Sequence, residues 1–484
     1  MRVGLTFDDV LLVPKFSDVK SRKDADTRTS FSRRIRLEIP VVSANMDTVT
    51  ESAMAISIAR LGGIGVIHRF LTIEEQVAEV LKVKRSEGVV IEDPITLGRE
   101  ATVGEAWGII REKEIGGIVI VDRERRVLGL LTRRDLNLED DMARKVKAVM
   151  TPRRRLITAR RGVTLEEAQR ILHAHKIEKL PLVDRSGRLE GLITSKDIMK
   201  RRQFPAATKD SKGRLRVAAA VGVKGDHMER SRRLLDAGAD ALVVDIAHGH
   251  SVYAVETVKE IKKELGDIEV VAGNVATAKG ASDLIRAGAD AVKVGVGSGS
   301  ICVTRVVTGS GVPQLTAIMD SAAGAEDPDV PVIGDGGIRN PGDLTKALAA
   351  GASSVMIGSL FAGTEESPGP TVLRDGVRYK LTRGMASLAA TVERRVRESR
   401  PTGPKEDELI EEVIDESVPE GVEGLIPYKG RVDEVVKQLV GGLRSGMSYV
   451  GAHDLAELRK NAEFMRITPA GHRESLPHDI QKVV

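Results

Sequence analysis

A single cysteine, Cys302, stands among 484 residues, which excludes an intramolecular disulfide framework and a cysteine-built zinc site. No run approaches 18 consecutive apolar residues, so no membrane-spanning helix is expected. The opening MRVGLTFDDVLLVPKF lacks a basic segment followed by a long apolar stretch and a cleavage site, and does not read as a leader. Neither charge sign is in excess. The 74 basic and 70 acidic side chains leave +4, which gives no reason to expect nucleic acid or an anionic membrane as the main partner. Aromatics make up only 2% of the chain, too few for a sandwich built on aromatic packing. The expectation is a soluble, cytoplasmic protein.

What is present points to an α/β fold. The chain is 41% hydrophobic, enough to bury a large core, so disorder is excluded as the main state. At roughly 150 residues per domain, this length suits about three domains, or one large barrel plus a smaller module. Forty-eight glycines suit strands that end in glycine turns beside ligands.

The first half contains a repeat. IGGIVIVD at 115–122 superimposes on IEKLPLVD at 177–184, and GLLTRRDL at 129–136 on GLITSKDI at 191–198, at a fixed offset of 62. Each copy reads as a helix, a short β-branched strand, a turn, a second strand and the start of a helix. Two copies at this period suggest a pseudo-symmetric pair rather than a solenoid. Thr132 and Asp135 match Thr194 and Asp197 within the repeat. The unit resembles a tandem CBS-domain pair, whose Thr-x-x-Asp pattern sets a carboxylate near a nucleotide ribose. The plainer reading makes the two threonines helix N-caps. The pair spans 93–203 and looks inserted between residues 1–92 and 204–484, with the polar stretch QFPAATKDSKGRL at 203–215 as the return linker.

From Leu215 onward, helix patterns alternate with short apolar runs: RVAAAVG, DALVVDIAH, EVVAGNV, DAVKVGVG, VPVIGDGG and SSVMIGS. Three helix-to-strand junctions share AGAD or AGAS. With two further strands before the insertion, eight β/α units can be counted. Continuous apolar runs predict parallel strands buried on both faces, and eight of them make a TIM barrel. A doubly wound sheet is the competitor, but no strand–GxGxxG–helix unit is present.

Barrel chemistry lies at the C-terminal strand ends. Those tips include Asn45, Asp245, Asn274, the loop Gly295 to Cys302, Asp335-Gly336-Gly337 and Gly358-Ser359. The last two, rich in glycine, are suited to a phosphate. Cys302 sits in GVGSGSICVTR, a loop of glycines and serines directly after a strand. A structural cysteine would more often occupy an apolar periodic position. Backbone N–H groups and the nearby Arg305 are expected to favour its thiolate and make it a nucleophile.

These residues bear a resemblance to a known family. The chain resembles the IMP dehydrogenase and GMP reductase family in LTFDDVLLVP, MDTVTE, DIAHGH, KVGVGSGSIC-x-TR, GDGGIR, GTEESPG, RGMAS, VPEGVEG-x-x-PYKG and GGLRSGMSYVGA. The resemblance implies that Cys302 attacks C2 of a purine nucleotide, with Thr304 and Glu420 as a proton relay. It assigns Ser300, Asp335, Gly336, Gly337, Gly358, Ser359, Arg383, Gly384 and Met385 to the nucleotide. Asp245, Gly295, Val296 and Gly297 fall on the nicotinamide-cofactor side. Carbonyls of Gly297, Gly299 and Cys302 match a potassium site. The CBS pair implies an adenine or guanine nucleotide at Thr132, Asp135, Thr194 and Asp197, and the family implies a homotetramer or octamer.

The dehydrogenase converts IMP to XMP with NAD and water; the reductase converts GMP to IMP and ammonia with NADPH. Dehydrogenases carry an Arg-Tyr pair in a flap that here reads SLAATVERRVRESRPTGPKEDELIEEVIDESV, without that pair. Asn45, Ile246, Thr382 and Ala386 also depart from the dehydrogenase pattern; Asn45 matches the reductase, and Ile246 resembles the reductase's Val. MDTVTE, GGLRSGMSYVGA and the tail ITPAGHRES-x-PHDI are dehydrogenase-like. Breadth of resemblance favours the dehydrogenase, with the reductase as the alternative. A nucleotide sensor without turnover is a third reading, opposed by the intact SGSICVTR and Glu420.

Overall fold

The computed structural model describes residues 1–87, 90–113, 115–137, 139–398 and 418–477, with backbone alone for 197, 200–202 and 395–398. The chain forms two compact units. One comprises Met1–Ser86, Ala206–Asp210 and Leu215–Val484; the other comprises Glu87–Pro205 and Ser211–Arg214.

The larger unit is a closed barrel of eight parallel strands. In chain order these are β1 Val41–Ser43, β2 Ile64–Ile67, β3 Val217–Val221, β4 Ala241–Asp245, β5 Glu269–Val275, β6 Ala291–Val294, β7 Val332–Asp335 and β8 Ser354–Ile357. Parallel pairing runs from β1 round to β8, and β8 pairs back to β1 through Met356 opposite Val42. The runs are short, apolar and buried along nearly their whole length, as strands covered on both faces must be. Burial loosens only at the C-terminal ends, where Asp245, Asn274 and Asp335 are half-buried. Those are the positions the fold leaves open for chemistry.

The AGAD and AGAS junctions have a common physical cause. Gly238, Gly288 and Gly351 take φ of +97°, +108° and +115°. Each follows a helix and returns its N–H to a carbonyl of the last turn, and the next alanine reaches one residue further back: Gly238 to Leu235 and Ala239 to Leu234, Gly288 to Ile285 and Ala289 to Leu284, Gly351 to Leu348 and Ala352 to Ala347. This is a Schellman closure, which needs a left-handed residue. The aspartate that follows then holds a neighbouring strand: Asp240 accepts from Val217 N–H and Asp290 from Val270 N–H, both at 2.8 Å. Ser251, Thr277 and Asn340 cap the starts of three barrel helices with their side-chain oxygens.

The smaller unit carries the repeat in register. Helices Val103–Glu112 and Leu165–Ala174, strands Gly117–Val121 and Lys179–Val183, and strands Val127–Thr132 and Leu189–Thr194 all correspond at 62 residues. Each helix starts on a threonine, Thr102 or Thr164, whose side chain accepts from the third N–H. The copies meet symmetrically: Val127 N–H donates to Gly187 O at 3.0 Å, and Leu189 N–H to Arg125 O at 2.9 Å. Val119, Val121, Val127 and Leu130 share one apolar cluster with Val183, Leu189 and Leu192. Two half-cores joined this way explain why two copies occur together.

Replacing Gly288 by Ala forces a side chain into a positive-φ position and is expected to cost roughly 1 kcal/mol or more. Thermal unfolding should show a lower midpoint for Gly288→Ala. An unchanged midpoint would contradict the closure described here.

Candidate active site

The loop after β6 presents Cys302 half-buried. Its Sγ lies 3.1 Å from Thr304 Oγ1, and that hydroxyl donates to Glu420 Oε2 at 2.7 Å. Glu420 is 116 residues away in sequence, and backbone pairing brings it there. Val303 N–H donates to Glu420 O at 2.8 Å and Val422 N–H to Ile301 O at 3.0 Å, with Cys302 bridging to Gly421. Glu420 N–H in turn donates to Ala386 O, and Gly384 N–H to Val422 O. The backbones meet so closely that a Cβ on Gly384 would lie 3.0 Å from Gly421 Cα. Thiol, hydroxyl and carboxylate thus stand in line, an arrangement able to move a proton between a reacting centre and a base.

Arg305 does not join this line. Its guanidinium donates to Val296 O at 3.2 Å and to Val312 O at 2.5 Å. The expectation that it supports the Cys302 thiolate is corrected: spacing brought it near, but the backbone carbonyls of Val296 and Val312 direct its guanidinium elsewhere. It holds the shape of the Gly295–Gly297 turn, where a Cβ on Gly297 would lie 2.5 Å from Arg305 Cγ.

Two carboxylates frame the mouth. Asp335 Oδ2 accepts from Lys293 Nζ and from Asn274 Nδ2, each at 2.9 Å, and Oδ1 has no partner among the described residues. Asp245 Oδ1 accepts from the same Lys293 at 3.0 Å, and Asn45 also bonds Asp245. Burial pulls the Asp245 carboxyl up, but Lys293 and Arg69 more than offset it, so its pKa falls below the ordinary value. Asp245 is therefore charged at neutral pH, and the carboxylate oxygens of both residues are of the type that accepts from hydroxyls. Asn274 was among the strand tips read from the sequence, but Lys293 was not singled out. The lone lysine in the strand run DAVKV was the available signal.

Gly336 and Gly337, with φ of +94° and +82°, turn directly after Asp335. A Cβ on Gly336 would meet Ser298 Oγ at 2.5 Å, and one on Gly295 would meet Asp335 O at 2.0 Å. The two loops touch through backbone. Gly358 follows the adjacent strand, and Ser359 opens the short helix Ser359–Ala362. Glycine turns after the seventh and eighth strands with a short extra helix form the usual phosphate corner of such barrels. Ser300 is exposed at the loop rim. Arg383 is spent on Asp47 and Glu393, and Met385 Sδ accepts from Asp47 N–H. Among the described residues, no three His, Cys, Asp or Glu side chains are set to hold a metal ion.

Of the remaining sequence-predicted residues, Asp135 Oδ2 accepts from Thr132 N–H at 2.8 Å and from its hydroxyl at 2.7 Å, a local cap of the kind the plainer reading describes. Thr194 ends its strand at the equivalent place. The Asp197 side chain lies outside the described residues, as does the flap from 399 to 417. Arg394, the first flap arginine, stands 5.7 Å from the Phe70 ring. Thr382 Oγ1 is 3.3 Å from Thr48 Oγ1. No described helix is long and apolar enough to cross a membrane.

The class these features define is an eight-stranded α/β barrel with a thiol-centred site at its C-terminal mouth. The model of the IMP dehydrogenase / GMP reductase domain matches residues 4–478, and the chain belongs to that family. It is 56% identical over 477 residues to the inosine-5′-monophosphate dehydrogenase of Nitrosopumilus maritimus, covering 99% of this chain and 98% of that one. It is 52% identical over 480 residues to that of Bacillus subtilis, at 99% and 96% coverage. Among solved structures, GMP reductase from Trypanosoma brucei in complex with guanosine 5′-monophosphate superimposes with a TM-score of 0.92 at 44% identity, covering 99% of both chains.

Thr304→Val removes the hydroxyl that links Cys302 to Glu420 and is expected to slow turnover by roughly 10²–10⁴-fold. Thr304→Ser should retain most of the rate. Steady-state kinetics giving equal rates for Val and Thr would contradict the line.

Proposed function

We propose that the chain is an IMP dehydrogenase, converting IMP, NAD and water to XMP, NADH and a proton. The observation that carries this reading is the Cys302–Thr304–Glu420 line inside a chain more than half identical to named dehydrogenases. Asp335 would accept the nucleotide's ribose hydroxyls, and the Gly336-Gly337 and Gly358-Ser359 turns its phosphate. Ser300, Arg383, Gly384 and Met385 would border the base. Asp245 and the turn Gly295-Val296-Gly297 would face the cofactor.

Cys302 gives up its thiol proton, the one released overall, and adds its sulfur to C2 of the base, and the hydrogen on C2 leaves with its electron pair. Bound NAD supplies the acceptor for that hydride. A thioimidate remains on Cys302. Water attacks C2, its proton passes through the Thr304 hydroxyl to Glu420, the C–S bond breaks, and that proton returns to the leaving sulfur to restore the thiol. Neutral carbonyls of Gly297, Gly299 and Cys302 are the donor type that suits potassium. Gly299 O already accepts from Cys302 N–H at 3.1 Å, so an ion there would add to a turn that the loop makes itself. We assign residues 93–203 as a CBS pair binding an adenine or guanine nucleotide through Thr132, Asp135, Thr194 and Asp197. Assembly as a homotetramer or octamer rests on the same resemblance.

GMP reductase is the second reading, favoured by the absent Arg-Tyr pair and by the Asn45 contact to Asp245. It needs no hydrolysis of the adduct.

Two assays at 340 nm separate them. IMP with NAD should gain absorbance; activity only as a loss with GMP and NADPH would overturn the dehydrogenase. In the same assays Cys302→Ser should abolish turnover while IMP still binds, and a near-normal rate would end the covalent mechanism. Glu420→Gln should give a burst of NADH followed by turnover slowed roughly 10²–10⁴-fold. Unchanged turnover would remove Glu420 as the base and leave an arginine of 394–400 as the next candidate.

A further inference from the structure

Lys293 occupies β6, flanked by Val292 and Val294, with 3% of its side chain exposed. A buried ammonium must spend its three donors on acceptors. Here it spends them on Asp245 Oδ1 from β4, Asn274 Oδ1 from β5 and Asp335 Oδ2 from β7. One cation therefore ties four consecutive barrel strands at the level where each ends. Space for it comes from the neighbouring strand, since a Cβ on Gly273 would lie 2.7 Å from Lys293 Cβ.

The tie is asymmetric in a useful way. On Asp335 both bonds, from Lys293 and Asn274, fall on Oδ2, so the carboxylate plane is fixed and Oδ1 is left to accept. On Asp245 the bond from Lys293 falls on Oδ1. Two carboxylates converging on one site repel each other in a low-dielectric setting unless a cation lies between them. Burial alone would lower the Lys293 pKa, but Asp335 and Asp245 outweigh it and raise it, so the cation persists.

We infer that Lys293 is a positioning residue common to both ligand sites: its ammonium sets the orientation of Asp335 toward the nucleotide ribose and of Asp245 toward the cofactor ribose. The inference rests on the proposed function, which gives those two carboxylates their ligands. Neither ligand touches Lys293 in this account. Its loss weakens two ligands at once because both carboxylates lose the same neighbour.

A buried lysine that merely braces the barrel would behave differently, so the test compares ligands rather than stability alone. IMP affinity is measured by calorimetry on the full chain, and KM for NAD by initial rates. Lys293→Met should weaken IMP binding and raise KM for NAD, each about tenfold or more, the weight of a charge-assisted hydrogen bond. Lys293→Gln serves the same comparison should the Met protein not fold. Lys293→Arg should recover most of both. Asp335→Asn should weaken IMP alone, and Asp245→Asn should raise KM for NAD alone. A lower melting temperature with both ligand constants unchanged, or a change confined to one ligand, would overturn the inference. Failure of the unmutated protein to bind IMP would instead overturn the proposed function, and this inference with it.

Discussion

The proposed cysteine chemistry depends on a short antiparallel contact between residues 301–303 and 420–422. A barrel can place Cys302 at the end of β6 through the local sequence alone. It cannot by itself bring a carboxylate from more than a hundred residues later into hydrogen-bond range of Thr304. Two backbone bonds, Val303 to Glu420 and Val422 to Ile301, do that, and they fit because Gly384 and Gly421 leave no side chains in the way. The Cys302 loop and the Glu420 segment thus position each other. A change that loosens one is expected to misplace the other, which separates this site from one where each side chain stands on its own strand.

Beneath that contact the barrel mouth is organised by charge. Burial works against the charges of Asp245 and Lys293 at the ends of β4 and β6, and their charged neighbours outweigh it. Lys293 pairs with both Asp245 and Asp335, while Asn274 supplies a neutral second donor to Asp335. The glycine turns above are narrow because neighbouring backbones and Ser298 occupy the space a side chain would need. Charge below and bare backbone above are what a nucleoside monophosphate requires: hydroxyl acceptors for its sugar and N–H donors for its phosphate.

Much of this was legible in the sequence, for identifiable reasons. Strands buried on both faces read as unbroken apolar runs, and the glycine of each AGAD or AGAS junction has to be glycine, so the eight-fold pattern was visible. The offset of 62 was visible because both copies solve the same packing problem with the same residue types. Cys302 stood out against a loop of glycines and serines. What stayed hidden was direction. Arg305 is three residues from Cys302, yet its guanidinium turns to the carbonyls of Val296 and Val312. Lys293 looked like an ordinary strand residue because its partners come from three other strands. Arg383 falls in the RGM motif, but Asp47, distant in sequence, and Glu393 hold its side chain.

The central claim is that Cys302 forms a covalent bond to the purine during turnover, and that the bond persists until water enters with help from Thr304 and Glu420. The direct measurement is the mass of the Cys302 peptide from protein acid-quenched while turning over IMP and NAD. The account predicts a peptide carrying the mass of the oxidised nucleotide, accumulating further in Glu420→Gln and absent from Cys302→Ser. An unmodified Cys302 peptide in both the unmutated protein and Glu420→Gln, under conditions where NADH is being produced, would contradict it.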